Sequence, residues 1–480
     1  MSNNVLILSI VFIPIVGAFI LPLAGLVSKS FRNYLSFFFI LASFVLSCAL
    51  IPMVISGKVA TFSMPLAFGF NMVFTADGLS VFMACVSSLI SAIILLYSFD
   101  YISHYENQNE YYSMVVLFCG SMMGLVFAAN LIFLFMFWEL TAITSWRLIG
   151  FFRDKIHVLK ADKAFLITVF GALMMLIGFI GVYQLTGSFD LAVIKQAMAA
   201  HPITNVLLAL IFIGLISKSA TLPFHTWLPD AGVAPSSVTA LLHAAVLVKI
   251  GVYVYARLFI ATFTMGQVWH TIVPCVALAS ALVSAAAAMF ETDLKRLIAY
   301  STVSQIGFIF FGLATGNVIG IAGSLLYILM HGLAKAGLFL SAGIIEQNTK
   351  TRDITKLGGL ISTMPVTAIS FLFCSLSVMG VPPFGGFFSK YMVFAGAIEA
   401  RQFVLAGLLL CAAFMTIIYL FRAFNMIFLG EVKVSAKEGS FTMVYSVAAL
   451  ALLSLLGGLF ISYPAFFAKV AAMQMLGVLK

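Results

Sequence analysis

Residues 215–257 read LISKSATLPFHTWLPDAGVAPSSVTALLHAAVLVKIGVYVYAR. An apolar run reaches Lys218 and gives way to a segment holding Pro223, Pro229 and Pro235; a second apolar run then resumes with His243 and Lys249 inside it. Proline removes a backbone donor and clashes with the preceding turn, so a helix arriving at 218 must unwind before the next begins. The surroundings say what kind of break this is. The chain has 480 residues, 63% of them hydrophobic and 9% charged, with a mean hydropathy of +1.16, which excludes a water-soluble globular domain. Inside a bilayer, irregular backbone is tolerated only where it is buried in protein or faces a hydrated cavity. The stretch therefore reads as a discontinuous membrane helix in an all-α, polytopic membrane protein.

Working outward from it, a requirement of about 20 mostly apolar residues per crossing yields roughly fourteen spans. They lie near residues 5–28, 32–56, 79–103, 112–129, 131–150, 163–187, 203–222, 236–261, 267–290, 295–316, 318–346, 358–395, 403–430 and 441–466. A second break stands at 379–390, MGVPPFGGFFSK, where Pro382 and Pro383 precede two glycines. Taking spans 4–8 and 9–13 as two groups of five puts the breaks in helices 7 and 12, the fourth member of each group. Five crossings reverse the chain's direction, so the pattern predicts two inverted five-helix repeats with sites near the midplane. The expected organisation is 1–111 for helices 1–3, 112–261 for the first repeat, 267–430 for the second, and 431–480 for a loop and helix 14.

The formal net charge of +9 comes from basic residues scattered over short connections, with no patch of interleaved aromatics of the kind that binds nucleic acid. With fourteen alternating spans, Lys29, Arg32, Arg153, Lys155, Lys160, Lys163, Lys295, Arg296, Lys350, Arg352, Lys356, Lys433 and Lys437 share one side, against chiefly Lys58, Lys195 and Arg401 on the other. The positive-inside bias then predicts a multi-pass inner (plasma) membrane protein with both termini on the non-cytoplasmic side. The six cysteines stand singly in apolar segments, and neither a Cys/His ligand spacing nor a phosphate-binding loop occurs, so no metal or cofactor is expected on this chain.

An ionisable residue at membrane depth costs at least about 2.5–3.5 kcal/mol on insertion scales and marks a pathway by default. Glu139 sits in LFMFWELTAITSW of span 5 and Lys218 at the first break; a carboxylate opposite an ammonium holds both in low dielectric, so the two are expected to pair. His243 and Lys249 share span 8, and six residues of α-helix turn them about 240° apart, onto different faces. In span 11, Tyr327, His331 and Lys335 recur every four residues and form one polar stripe. Lys390 follows the second break. Such groups exist charged or neutral, which is what a proton relay needs. His225 and Asp230 are expected to line an entrance at the first break, and Arg257 and Arg422, near helix ends, to snorkel.

These residues carry a resemblance. FTADGLSVFM (74–83), FWELTAITSWRLIGFF (137–152), LPFHTWLPDAGVAPSSVTALLHAA (222–245), DLKRLIAYSTVSQIG (293–307), MHGLAKAGLFLSAG (330–343) and GVPPFGGFFSK (380–390) occur in the order found in the antiporter-like membrane subunits of respiratory complex I, Mrp-type Na⁺/H⁺ antiporters and membrane-bound energy-converting hydrogenases. The sequence resembles that family over most of its length. The resemblance implies fourteen helices with two inverted units and a path running through Glu139 and Lys218, then His243 or Lys249, His331, Lys335 and Lys390. Tyr327 stands where complex I relatives often carry histidine, and Trp146-Arg147 replaces a more usual Tyr-Leu.

The function so implied is H⁺ or Na⁺ translocation by a subunit without a redox site of its own, bolted beside related membrane subunits and beside redox or hydrogenase-type peripheral subunits. The rival readings are an Mrp-type cation/proton antiporter subunit with no redox partner, a membrane partner of a CO₂-hydrating uptake complex, and a scaffold whose charges only hold helices together.

Overall fold

The computed structural model describes residues 2–66, 71–198, 202–434 and 436–479. In order these form α1 Asn3–Val27, α2 Lys29–Ala49, α3 Ile51–Ile55, β1 Ala60–Pro65, β2 Asn71–Ala76, α4 Gly78–Tyr101, α5 Gln108–Phe127, α6 Leu131–Ile149, α7 Lys155–Thr186, α8 Leu191–Met198 and α9 Asn205–Lys218. They continue with α10 Trp227–Asp230, α11 Ser236–Ala240, α12 Leu247–Tyr255, α13 Trp269–Phe290, α14 Leu294–Leu313, α15 Val318–Thr349, α16 Pro365–Met379, α17 Gly385–Glu399, α18 Phe403–Phe428, α19 Phe441–Leu459 and α20 Ser462–Met475. Among the described residues, twelve helical stretches are long and apolar enough to cross a membrane, and two shorter apolar helices, α9 and α16, enter the two breaks. The purely helical expectation needs one correction: β1 and β2 pair antiparallel, Ala60 opposite Ala76, between the second and third long helices.

Side chains at the helix starts fix the boundaries by accepting from orphan N–H groups. Asp77 accepts from the Ser80 amide at 2.9 Å, Asn130 from Ile132 at 2.9 Å, Asp293 from Arg296 at 3.1 Å and Asn317 from Gly320 at 2.8 Å. Span 6 starts earlier than its hydropathy indicates, at Lys155, because Asp154 caps it, so Lys155, Lys160 and Lys163 lie in the first turns of α7 and not in a loop. Outward faces such as Leu166, Phe170, Leu173 and Ile177 of α7 are apolar and exposed, as a lipid-facing surface requires.

Several backbone landmarks occur twice. Short bridges join Asn130 to Asp190 and Asp293 to Asp353. Left-handed residues end α7 at Gly187 and α15 at Lys350, and others open the breaks at Ala220 and Gly380. At each break an amide folds back five residues, Thr221 to the Ile216 carbonyl at 2.9 Å and Val381 to that of Leu376 at 3.0 Å.

Span 8 is less regular than expected. Between α11 and α12 the chain widens into a π-helical turn, Leu241–Ala245, closed by the Val246 amide on the Leu241 carbonyl at 3.0 Å. A second π turn, Ala256–Ile260, follows α12. The wide turn changes the angular spacing of the side chains around it, and such turns concentrate at functional sites.

Candidate functional site

The ionisable residues selected from the sequence lie in the interior. Lys218, His243, Lys249, His331 and Lys335 are fully buried and Lys390 is 4% exposed, while Glu139 is half-buried with Oε1 unpartnered. Small residues bring their helices together. A Cβ on Gly251 of α12 would lie 2.3 Å from the Leu215 carbonyl of α9, so only glycine lets the Lys249 helix approach the Lys218 helix this closely.

At the first break, Lys218 Nζ donates to the Trp138 carbonyl at 3.2 Å and lies over the Trp138 indole, 5.3 Å from its centroid. The expected direct pair with Glu139 is absent from the ion pairs of the described residues. The ammonium instead takes the carbonyl one residue before the glutamate. A cation over an aromatic face gains about 2 kcal/mol when desolvated, which offsets part of the loss of water.

The centre corrects a second expectation. Lys249 and His243 do not serve opposite faces: Lys249 Nζ donates to the His243 carbonyl at 2.7 Å and lies 3.0 Å from His331 Nδ1. The π turn holds His243 and precedes the helix that carries Lys249, so the angular spacing of the two residues is not that of a regular α-helix. The His243 ring packs on Phe339 at 4.4 Å between centroids, and both its nitrogens lack partners. With Lys249 charged, His331 accepts at Nδ1 and carries its proton on Nε2, which is also unpartnered.

Beyond it the stripe on α15 continues as a hydroxyl network that sequence reading missed. Lys335 Nζ donates to Ser301 Oγ at 2.5 Å and to the Ile298 carbonyl at 3.2 Å. Ser301 accepts from Tyr419 at 2.7 Å. Gln305 donates to Thr416 at 3.1 Å and accepts from Tyr327 at 2.5 Å. Ser301 and Gln305 are one turn apart on α14, inside the quoted DLKRLIAYSTVSQIG run, so i, i+4 spacing was the available signal. Lys390 Nζ closes the line, donating to the Val378 carbonyl at 2.7 Å with the Phe308 and Tyr327 rings 4.7 and 5.6 Å away.

The lower-ranked residues sit apart. Asp230 is gripped by Lys160 at 3.0 Å, Lys163 at 2.8 Å and Arg296 at 2.8 Å. Burial pushes its carboxyl up, but these three cations outweigh that and hold it at about 2. It ties α7 and α14 to the break, and His225, in the same unwound segment, is half-buried with Nδ1 unpartnered. Arg257 does not snorkel: it is 8% exposed, bonded to both oxygens of Asp77 and, at 3.0 Å, to the Tyr253 hydroxyl. Asp77 caps α4 as it does so. Arg422, partly exposed, reaches the Glu291 carbonyl at the end of α13, as a snorkelling side chain would.

The NADH:quinone oxidoreductase/Mrp antiporter transmembrane family matches residues 128–416, more than half of the chain, and the N-terminal family of chain 5 of NADH–ubiquinone oxidoreductase (complex I) matches 62–112. The A/B component of a probable K⁺/H⁺ antiporter of Rhizobium meliloti is 37% identical over 75% of this chain and 37% of its own length. The A1 component of a Na⁺/H⁺ antiporter of Staphylococcus aureus is 33% identical over 94% of this chain and 60% of its own. The chain thus spans about half the length of the curated relatives it matches. Among solved structures, a chain of the Mrp complex from Dietzia sp. superposes with a TM-score of 0.90 over 99% of this chain and 98% of that one, at 22% identity. The chain is a multi-pass membrane protein and belongs to the NADH:quinone oxidoreductase/Mrp antiporter family of membrane subunits.

Proposed function

We propose that this chain carries protons or Na⁺ across a membrane, as one of several antiporter-like subunits, along Glu139, Lys218, His243, Lys249, His331, Lys335 and Lys390. The observation that carries the proposal is the 3.0 Å contact of Lys249 with His331 Nδ1, wholly buried, between a helix of the first half and a helix of the second. Two basic groups so close cannot both hold a proton cheaply: at an effective dielectric near 20, like charges 4 Å apart repel by about 4 kcal/mol. One proton is shared, and a change at either end of the line biases the next group. His331 Nε2 is left free of a partner, and the Ser301, Tyr419 and Gln305 groups hold Lys335 and Tyr327 in place.

The line runs through what we read as two five-helix units, 112–261 and 267–430, inverted relative to one another, within fourteen crossings when each broken helix counts once. The doubled bridges and left-handed residues support that reading. The gathering of Lys and Arg at one end supports cytoplasmic exposure of that end and non-cytoplasmic termini.

Of the assemblies open to such a protein, the names of the curated relatives favour an antiporter complex without a redox partner over a redox-driven one. Related membrane subunits are the expected neighbours.

The test is Lys218→Ala and Glu139→Gln in the assembled complex, with H⁺ and Na⁺ movement followed in sealed vesicles. Loss of transport with assembly intact supports the path; unchanged transport in both variants overturns it.

A further inference from the structure

None of the residues assigned to the path reaches water at the basic end of the molecule. A cavity of about 290 Å³ does open there, lined by Tyr101, Tyr105, Lys295, Glu346, Gln347 and Lys350 at the ends of α4, α14 and α15. A second, of about 340 Å³, lies on the other side of Gln347 and is lined by Asp100 and His104. Lys295 is the innermost group, 2% exposed; it pairs with Glu346 at 2.6 Å and donates to the Ala234 carbonyl at 3.2 Å. Glu346, with 31% of its side chain exposed, joins that buried lysine to the surface. Gln347 Oε1 and Ser236 Oγ, the latter on a fully buried residue, have no partner. Gln347 lines the space and Ser236 follows the lining residue Pro235, and unpartnered oxygens at and behind a polar space of this size are what water or a hydrated cation would satisfy.

Inward from the cavity, polar groups continue. Tyr101 accepts from the Ser236 amide at 3.2 Å, and Tyr111 donates to Ser237 at 2.8 Å while meeting Ser98 at 2.7 Å. Ser236 opens α11, and His243 stands in the π turn that follows that helix directly. At Gly343 the packing is close: an added Cβ would lie 2.6 Å from the Tyr97 hydroxyl and 2.9 Å from Ser236 Oγ.

Resting on the translocation reading above, we infer that this crevice is the aqueous mouth of the path, with Glu346 as the first acceptor and Lys295 as its latch. A proton from bulk water protonates the Glu346 carboxylate, which loosens its hold on Lys295. The proton then leaves to water held against Ser236, Ser237 and Tyr111 and reaches a ring nitrogen of His243, returning Glu346 to its ionised form. The carboxylate overcomes a local surplus of positive charge. Lys295 and Asp293 of the α14 end, Arg352 at 3.7 Å, Lys350, and Tyr97, Tyr101 and Tyr105 of α4 and its following turn are the titratable groups around Glu346.

The experiment uses the assembled complex in vesicles of known orientation. Gln347→Cys, treated with a membrane-impermeant cationic thiol reagent, is expected to react only from the basic face and to lose transport at least fivefold on modification. Gly343→Ala, which removes no charge, is expected to slow transport severalfold. Glu346→Gln is expected to slow it about tenfold and displace the acid limb of the pH profile, with Glu346→Asp restoring most of the rate. Where Glu346→Gln fails to assemble, the other two variants decide. Complete modification of Gln347→Cys with unchanged transport, or no modification in an actively transporting complex, overturns the mouth. If Lys218→Ala abolishes transport while these variants behave as wild type, the mouth alone is wrong; if Lys218→Ala is also silent, the translocation reading falls with it.

Discussion

Both breaks hold a buried lysine, but they supply it from opposite directions. At the first, Lys218 ends the entering helix α9, two residues before left-handed Ala220; at the second, Val378 stands two residues before left-handed Gly380, and Lys390 reaches back from the departing helix α17 to the Val378 carbonyl at 2.7 Å. The backbones match, with a left-handed residue at Ala220 and at Gly380. The companions differ. Glu139 stands near Lys218, whereas Thr302, as far beyond Asp293 as Glu139 lies beyond Asn130, gives the second break no carboxylate. Aromatic rings solvate both ammonium groups. What the two sites share is therefore a desolvated cation at an unwound helix; the negative partner belongs to the first alone.

The largest effect is expected from Lys390→Ala. Removing a buried charge carrier at the second break is expected to slow transport by roughly a hundredfold, about 2.7 kcal/mol in barrier, measured as ion flux in vesicles with assembly checked. A rate near wild type would make the second break a packing feature and end the comparison. Next comes Asp77→Asn, which leaves buried Arg257 unpaired and should cost about 3–5 kcal/mol in stability, read as the denaturation midpoint in detergent. Equal stability would show that this ion pair, unlike the break lysines, is solvated. Thr302→Glu sharpens the contrast by giving the second break its missing carboxylate. It is expected to fix the charge of the nearby lysines and slow transport at least tenfold, and faster transport would show that the asymmetry limits the wild type. Tyr419→Phe deletes one hydroxyl from the network at Ser301 and should cost about 1 kcal/mol with a few-fold loss of flux.

The smallest effect concerns pH. Because the Asp230 carboxyl is held at about 2, below an unfolded value of about 3.9, its stabilisation is complete above pH 4 and lost as pH falls toward 2. Asp230→Asn should therefore be less stable than wild type at neutral pH, and the gap should close on acidification; a gap independent of pH would assign it to packing.

The breaks were legible because proline and glycine act locally, and the buried charges were legible because any ionisable residue in an apolar run is conspicuous. The partners were not. Arg257 looked like a surface anchor because its sequence neighbours are apolar and Asp77 lies far away in the chain. Ser301 and Gln305 sat in an already quoted run without being singled out, since serine and glutamine are tolerated in helices for many reasons.

The amino-acid sequence by itself determined that this is a polytopic helical membrane protein, where its helices unwind and which groups are buried with a charge. Those properties follow from the free energy of single residues in lipid, which needs no knowledge of neighbours. Only the tertiary structure decided what each buried group touches: that Lys218 takes the Trp138 carbonyl and not Glu139, and that Lys249 meets both the His243 carbonyl and His331. The second depends on a π turn, a departure of one residue from α-helical spacing that rotates every side chain beyond it, and tertiary packing, not local propensity, selects that departure.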